Sequence, residues 1–315
     1  MLCKSEKCAW IHGRNVASGC GPAQPCPDYE SISGRWYSDG ISVGSTSGHL
    51  MLDTLEETRV DFLVGCSFSS TNEPLGGAGF GDSPESLPSQ LGLAKFSYCL
   101  LSHSYDDSMK STDLVLDFHN ELEAQGLTYT PLVRAPTVHS SCLFYGFRYL
   151  NLREIIVGQT HVKIPDKLRV IGPDGNGGTI VDSSSPYTYM ERSIYQSVTR
   201  EFEKQMARYE RAPDVGVLGP CFKLNPTEKL VSYPALALLF EGGAKMELMS
   251  VNYLLLADKS NTVCLSFVTD VVGSIGLNIK LSCGPSIILG NHLQQSTYME
   301  FDLQKRRLGF LKRAC

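Results

Sequence analysis

In the segment GNGGTIVDSSSPYTYM, Gly175 to Met190, a glycine-rich turn leads into Thr179-Ile180-Val181 and delivers Asp182 at the strand's end, ahead of Ser183, Ser184 and Ser185. A carboxylate so placed can cap its own turn, because an Asp side chain bonds readily to backbone two residues on. Beside a second carboxyl it can do acid–base chemistry, because two carboxyls held together cannot both ionise. Other chemistries lack their residues. The chain has no H-E-x-x-H pair and no P-loop, the patterns that would seat a zinc ion or a phosphate. The glycines of LGGAGFGDS, residues 75–83, have no lysine after them and read as strand-end packing. The seven histidines do not stand beside the cysteines at metal-ligand spacing. No metal and no cofactor is expected.

A lone strand-end carboxylate needs a scaffold that holds it. At 315 residues the chain is long enough for two lobes or one large β-rich unit, and 42% hydrophobic with 19% charged residues is a globular composition. No apolar run is long enough to span a bilayer. Twenty-eight Lys and Arg against 33 Asp and Glu give a net charge of −5. The basic residues are scattered apart from Lys305-Arg306-Arg307, so neither a nucleic acid nor a membrane is an expected partner.

Eleven cysteines, at 3, 8, 20, 26, 66, 99, 142, 221, 264, 283 and 315, point to disulfides and an oxidising compartment. The number is odd, so at least one thiol is left over. The opening MLCKSEKCAW has charges and cysteines where an export signal would have an apolar core. A disulfide-rich chain with such a start is expected to have lost, or not to include, its original N-terminus.

Residues 1–36 are rich in Cys, Pro and Gly and read as a disulfide-stapled loop region. Beyond them, VDFLVGC, KFSYCLL and DLVLDF read as strands, then YLNLREIIVG, HVKIP, TIVD, VCLSFV, SIILG, TYMEFDL and RLGFL. One helix interrupts them: in SIYQSVTREFEKQMARYER, Ile194, Val198, Phe202, Gln205 or Met206 and Tyr209 recur at helical spacing. SPESLPSQLG reads as a helical turn. The turn signals loosen near residues 134–144, giving an N-terminal lobe of residues 1–140 and a C-terminal lobe of residues 141–315.

Strand-Asp-Ser, followed over a hundred residues later by the apolar-apolar-Gly of SIILGN and the closing YMEFDLQKRRLGF, resembles the pepsin-like aspartic peptidases. GPDGNGGTIVDS, EFEKQMARY, PSQLGLAKFSYCLLSH, VGC and IILGNHLQQ make it most similar to the plant nepenthesin-like branch, over almost the whole chain. The resemblance implies an all-β, bilobal fold with a few short helices, in which one Asp-Thr/Ser-Gly loop from each lobe meets the other in a cleft. One carboxyl stays protonated while the other activates a water that attacks a peptide carbonyl, and apparent pKa values belong to the pair. By the same resemblance Asp182 is the catalytic residue, with Ser183, Ser184 and Ser185 in its loop. Cys221 and Cys264 form a bridge of the second lobe, Cys142 and Cys283 are additions, and the protein is a secreted, extracellular, cell-wall or vacuolar monomer.

Several positions depart from the family pattern. The opening CKSEKCAWIHG resembles its cysteine-rich insert, which follows the first catalytic loop, so the N-terminal lobe is expected to be incomplete and that loop to lie outside these residues. Asp53, in LDTL, and Asp117, in LVLDF, do not replace it, because neither has the glycine. In the flap, ISVGSTSG puts Ile41 where a tyrosine is expected, beside Gly44. Gly77-Ala78-Gly79 stands for an apolar-apolar-Gly, and Ser184 for a glycine, at a cost of about 1–2 kcal/mol if its φ is positive. The expectation is an aspartic endopeptidase by family, acting on polypeptides, whose 315 residues are inactive with one catalytic Asp. The alternative is a non-catalytic protein similar to xylanase inhibitors, with a glycoside hydrolase as partner.

Overall fold

The structure, a computed structural model, describes residues 2–12, 19–21, 23–27, 29–37, 40–54, 61–71, 78–102, 110–119, 124–134, 146–224, 231–257, 261–269 and 284–315. It is mostly β-sheet with a few short helices, as the alternation of β-forming runs and turn residues predicts. The chain divides into two compact units, one of residues 1–35 and 41–93, the other of residues 36–40 and 94–315. The lobe boundary expected at 140/141 lies outside the described residues.

The first unit opens with the helix Glu6–His12, pinned by the Cys3–Cys20 and Cys8–Cys26 disulfides. Three strands follow, β1 (Tyr29–Tyr37), β2 (Gly40–Thr54) and β3 (Asp61–Thr71), paired in that order. The loop expected over residues 1–36 therefore ends by residue 29. The β-forming Tyr29, Ile32, Trp36 and Tyr37 outweigh the preceding Pro- and Cys-rich composition. SPESLPSQLG does form a short helix, Leu87–Leu91. Ser86 caps its start through the Ser89 N–H, and Gly92 ends it at φ 65, in the left-handed conformation that glycine adopts without a Cβ clash.

The second unit is built on a ten-stranded sheet. In chain order its strands are β4 (Lys95–Cys99), β5 (Leu114–Asp117), β6 (Thr128–Val133) and β7 (Tyr149–Leu150). Then come β8 (Leu152–Val157) and β9 (Thr160–Lys163), which belong to a smaller sheet, before β10 (Thr179–Val181) and β11 (Thr188–Met190) return to the large one. After them stand β12 (Arg211–Ala212), β13 (Cys221–Lys223), β14 (Leu236–Phe240), β15 (Lys245–Leu248), β16 (Leu254–Ala257) and β17 (Thr262–Leu265) in two four-stranded sheets. The last strands, β18 (Phe267–Val268), β19 (Ile287–Leu289), β20 (Thr297–Asp302) and β21 (Arg307–Lys312), complete the large sheet in the order β18-β11-β19-β10-β7-β6-β21-β20-β4-β5.

The helix Arg192–Gln205 begins at Glu191, whose side chain accepts the Ser193 N–H at 2.9 Å. Its predicted stripe is its buried face: Ile194, Val198 and Phe202 are buried, with Met206 behind them. Phe202 meets Phe222 and Tyr253, with ring centroids 6.1 and 6.2 Å apart. Burying each such ring stabilises the fold by about 1.5–3 kcal/mol. Cys221 and Cys264, directly opposite in the β13–β17 ladder, are bridged as the resemblance implied. Cys99 is joined to Cys315, Cys66 is the unpaired thiol among the described residues, and Cys142 and Cys283 lie outside them.

Candidate functional site

The Asp182 loop owes its shape to strand order. Strands β10 and β11 are nearly consecutive in sequence, yet β19 lies between them, parallel to β10 and antiparallel to β11. The chain leaving β10 at Val181 must therefore cross over the end of β19 before descending as β11. That crossing passes directly above Gly290. A Cβ there would stand 2.2 Å from the Tyr187 carbonyl oxygen and 2.8 Å from that of Ser185. The glycine of IILG is thus required by close backbone approach and not by its φ, which is −81°. Gly79 is different, because a Cβ built on it meets nothing within 4 Å among the described residues. Gly77 lies outside the described residues.

Asp182 begins the crossing with its N–H bonded to Leu289 O at 3.1 Å. Its carboxylate is occupied from its own loop. Oδ1 accepts the Ser184 N–H at 3.0 Å and Ser184 Oγ at 2.7 Å, and Oδ2 accepts Ser185 Oγ at 2.7 Å. Ser185 is buried, whereas Ser183 and Ser184 are exposed and Asp182 is half-buried. Ser184 does not adopt a positive φ, so the strain foreseen for a Cβ at this place is not incurred. The serine instead adds a hydroxyl donor that glycine could not supply.

The short helix Asn291–Gln294 holds the loop from the other side. Asn291 N–H donates to Ser185 O at 2.6 Å, His292 N–H to Pro186 O at 3.0 Å, and Asn291 Nδ2 to Ser183 O at 3.2 Å. Asn291 Oδ1 accepts in turn from Gln295 Nε2 at 3.1 Å. Asn291 directly follows the IILG run, so its role was within reach of the sequence pattern. The roles of His292 and Gln295 had no such signal.

A cavity of about 350 Å³ borders the loop, lined among others by Ser184, Tyr187, Leu255, Asn291 and His292. His292 is buried, and its Nε2 has no hydrogen-bond partner among the described residues. Burial lowers its pKa, against a smaller opposing effect of its hydrogen bond to the Leu254 backbone. Burial likewise raises the pKa of Tyr187.

The structure therefore brings Asp182, Ser183, Ser184 and Ser185 together with Asn291. Ile41 and Gly44 lie on β2, in the first unit. The two aspartates set aside in the sequence, Asp53 and Asp117, stand on other strands. Asp53 stands opposite Phe62 within the β2–β3 ladder. Asp117 is buried at the end of β5, where Oδ1 accepts the His119 N–H at 2.9 Å and so shapes its own turn.

Residues 148–312 match the family model described as xylanase inhibitor C-terminal, and residues 1–113 match that described as xylanase inhibitor N-terminal. Over 98% of its length the chain is 32% identical to aspartyl protease family protein 2 of Arabidopsis thaliana. Over 93% it is 29% identical to aspartic proteinase nepenthesin-2 of Nepenthes gracilis. It spans 59% and 63% of those two relatives' own lengths. Among solved structures it is similar to basic 7S globulin from soybean (TM-score 0.66, 21% identity, 100% of this chain and 82% of that one). It is also similar to conglutin gamma, a basic 7S globulin from lupine seeds (TM-score 0.64, 22% identity, 98% and 80%). At those identities the likeness is one of fold.

Proposed function

Because the chain belongs to the pepsin-like plant aspartic protease family, we propose that Asp182 is one carboxyl of a peptide-hydrolysing dyad and that the 315 residues, holding that carboxyl alone, do not cleave peptide bonds by themselves. The observation that carries this reading is the crossing over Gly290, which presents a half-buried carboxylate at a strand end, fixed through both oxygens by Ser184 and Ser185. Hydrolysis needs an ionised carboxylate to take a proton from the attacking water and a protonated one to give a proton to the carbonyl oxygen. Asp182 can fill one of those roles. No Asp-Thr-Gly or Asp-Ser-Gly triplet occurs in the 315 residues to fill the other. The disulfides support maturation in an oxidising compartment, so the protein acts outside the cytosol, in the wall, the vacuole or the extracellular space.

A second reading, a non-catalytic protein that binds a glycoside hydrolase, is favoured by the descriptions of the two matching family models and by the engagement of both Asp182 oxygens within its own loop. The two readings separate in one pair of assays. The purified chain is incubated with denatured globin between about pH 3 and pH 5, where a carboxylate dyad works. It is then tested for inhibition of a xylanase. The first reading expects neither activity, and pepstatin-sensitive cleavage by this chain overturns it. Xylanase inhibition that survives Asp182→Asn establishes the second.

A further inference from the structure

We propose that Tyr98 and Gln294 are positioning residues for the Asp182 loop, acting together through one backbone carbonyl, that of Leu289. The Tyr98 hydroxyl, on β4, donates to Gln294 Oε1 at 2.6 Å. The other end of that amide donates from Nε2 to Leu289 O at 2.8 Å. Leu289 O also receives the Asp182 N–H at 3.1 Å. A carbonyl oxygen has two lone pairs, so it holds both bonds at once. A line of donors and acceptors thus runs from β4 to the backbone of the candidate catalytic residue.

The Leu289 carbonyl sets the sense of this line, and the phenol completes it. A primary amide can turn either end toward Leu289, but only its NH2 can bond a carbonyl. Nε2 is therefore aimed at Leu289, which leaves Oε1 facing β4, where the Tyr98 hydroxyl is the donor that this oxygen receives. Gln294 and Leu289 are each 1% exposed, so bulk water does not replace a lost partner. Burial first, and the nearby Asp182 carboxylate second, raise the Tyr98 pKa above the ordinary tyrosine value, which keeps the phenol a donor. The Asp182 N–H bond fixes where β10 ends and therefore where the carboxylate points. Small errors of that kind are costly at reacting centres.

The relay's catalytic meaning rests on the reading of Asp182 as a dyad carboxyl, but its test does not. In the folded, isotopically labelled chain, Tyr98→Phe and Gln294→Met are each expected to speed exchange of the Asp182 amide roughly tenfold and to move its nitrogen resonance. The double variant should do no more than either single one. Asn252→Ala removes a bond to Gln295 O and leaves the relay intact, so it should leave the Asp182 amide unchanged. A lowered thermal midpoint with unaltered Asp182 signals in both relay variants would show Tyr98 to be a packing residue and overturn the proposal. If the Phe variant does not fold, 3-fluorotyrosine at position 98 keeps the shape and the donor. Its fluorine resonance should move in Gln294→Met, and indifference to that change overturns the proposal. Proteolysis by the 315-residue chain would sink the inactive reading and leave the relay standing.

Discussion

Ser185 Oγ lies 2.7 Å from Asp182 Oδ2, and the serine is buried while the aspartate it serves is half-exposed. The bond is charge-assisted and anchored from beneath, because Ser185 O also takes the Asn291 N–H. Ser185→Ala is expected to lower stability by about 1.5–3 kcal/mol, the range for a hydrogen bond to a charged group. Ser184→Gly removes an exposed hydroxyl and should cost less, about 1 kcal/mol. Urea midpoints of the two variants check the order, and a larger loss for Ser184→Gly would contradict it.

Gly290 and Gly79 offer a paired test of why glycine is where it is. Gly290→Ala drives a methyl group into the Tyr187 and Ser185 carbonyls, neither of which is a flexible side chain that can turn away. A loss of about 3 kcal/mol or more, or failure to fold, is expected. Gly79→Ala has open space and no positive φ, so it should change stability by less than about 0.5 kcal/mol. Equal thermal shifts in the two variants would refute the close-approach argument.

Phe202, on the buried face of the helix Arg192–Gln205, packs against Phe222 of β13 and against Tyr253. It is fully buried, with aromatic neighbours on two sides. Truncation to Ala should cost about 3–5 kcal/mol, the range for a buried Phe. A penalty below about 1 kcal/mol would mean that the cavity collapses.

His292 gives the fold a pH dependence of defined sign. Its pKa is lowered in the folded chain by burial, below the value near 6.5 that it regains on unfolding. The unfolded chain therefore binds a proton that the folded chain does not. The contribution of His292 to stability is complete above pH 6.5 and is lost as pH falls from there toward the folded pKa. The difference in thermal midpoint between the native chain and His292→Phe, followed from pH 7.5 to pH 5, should move in favour of the variant as the solution is acidified. A difference that stays constant over that range would show that the imidazole takes up its proton without penalty.

The strands were legible where β-branched and aromatic residues cluster between turn residues, as in KFSYC, TIV, IIL and TYMEFD, because composition and burial there point the same way. The helix was legible because Ile194, Val198 and Phe202 repeat at its period. Asp182 was legible from its motif. β1 was hidden because proline and cysteine dominate the preceding window and drown a short run of strand formers. Tyr98 and Gln294 were hidden for a different reason. They meet across 196 residues, and a hydrogen bond between a tyrosine and an amide leaves no trace in local spacing. Ser184 was legible as a departure from glycine but not in its consequence, since only the backbone shows that its φ is an ordinary one.

The insertion of β19 between β10 and β11 also sets the order in which the molecule can be made. Val181 leaves the ribosome more than a hundred residues before Leu289, its neighbour in the sheet. Until β19 emerges, β10 and β11 have no central strand to pair with, and the Asp182 loop has nothing to cross. Closing so long a loop is slow, because its entropy is lost before any contact compensates. The carboxylate is therefore in place only after β19 has been made, and a nascent chain stalled before Ile287 holds its sequence motif without holding a site.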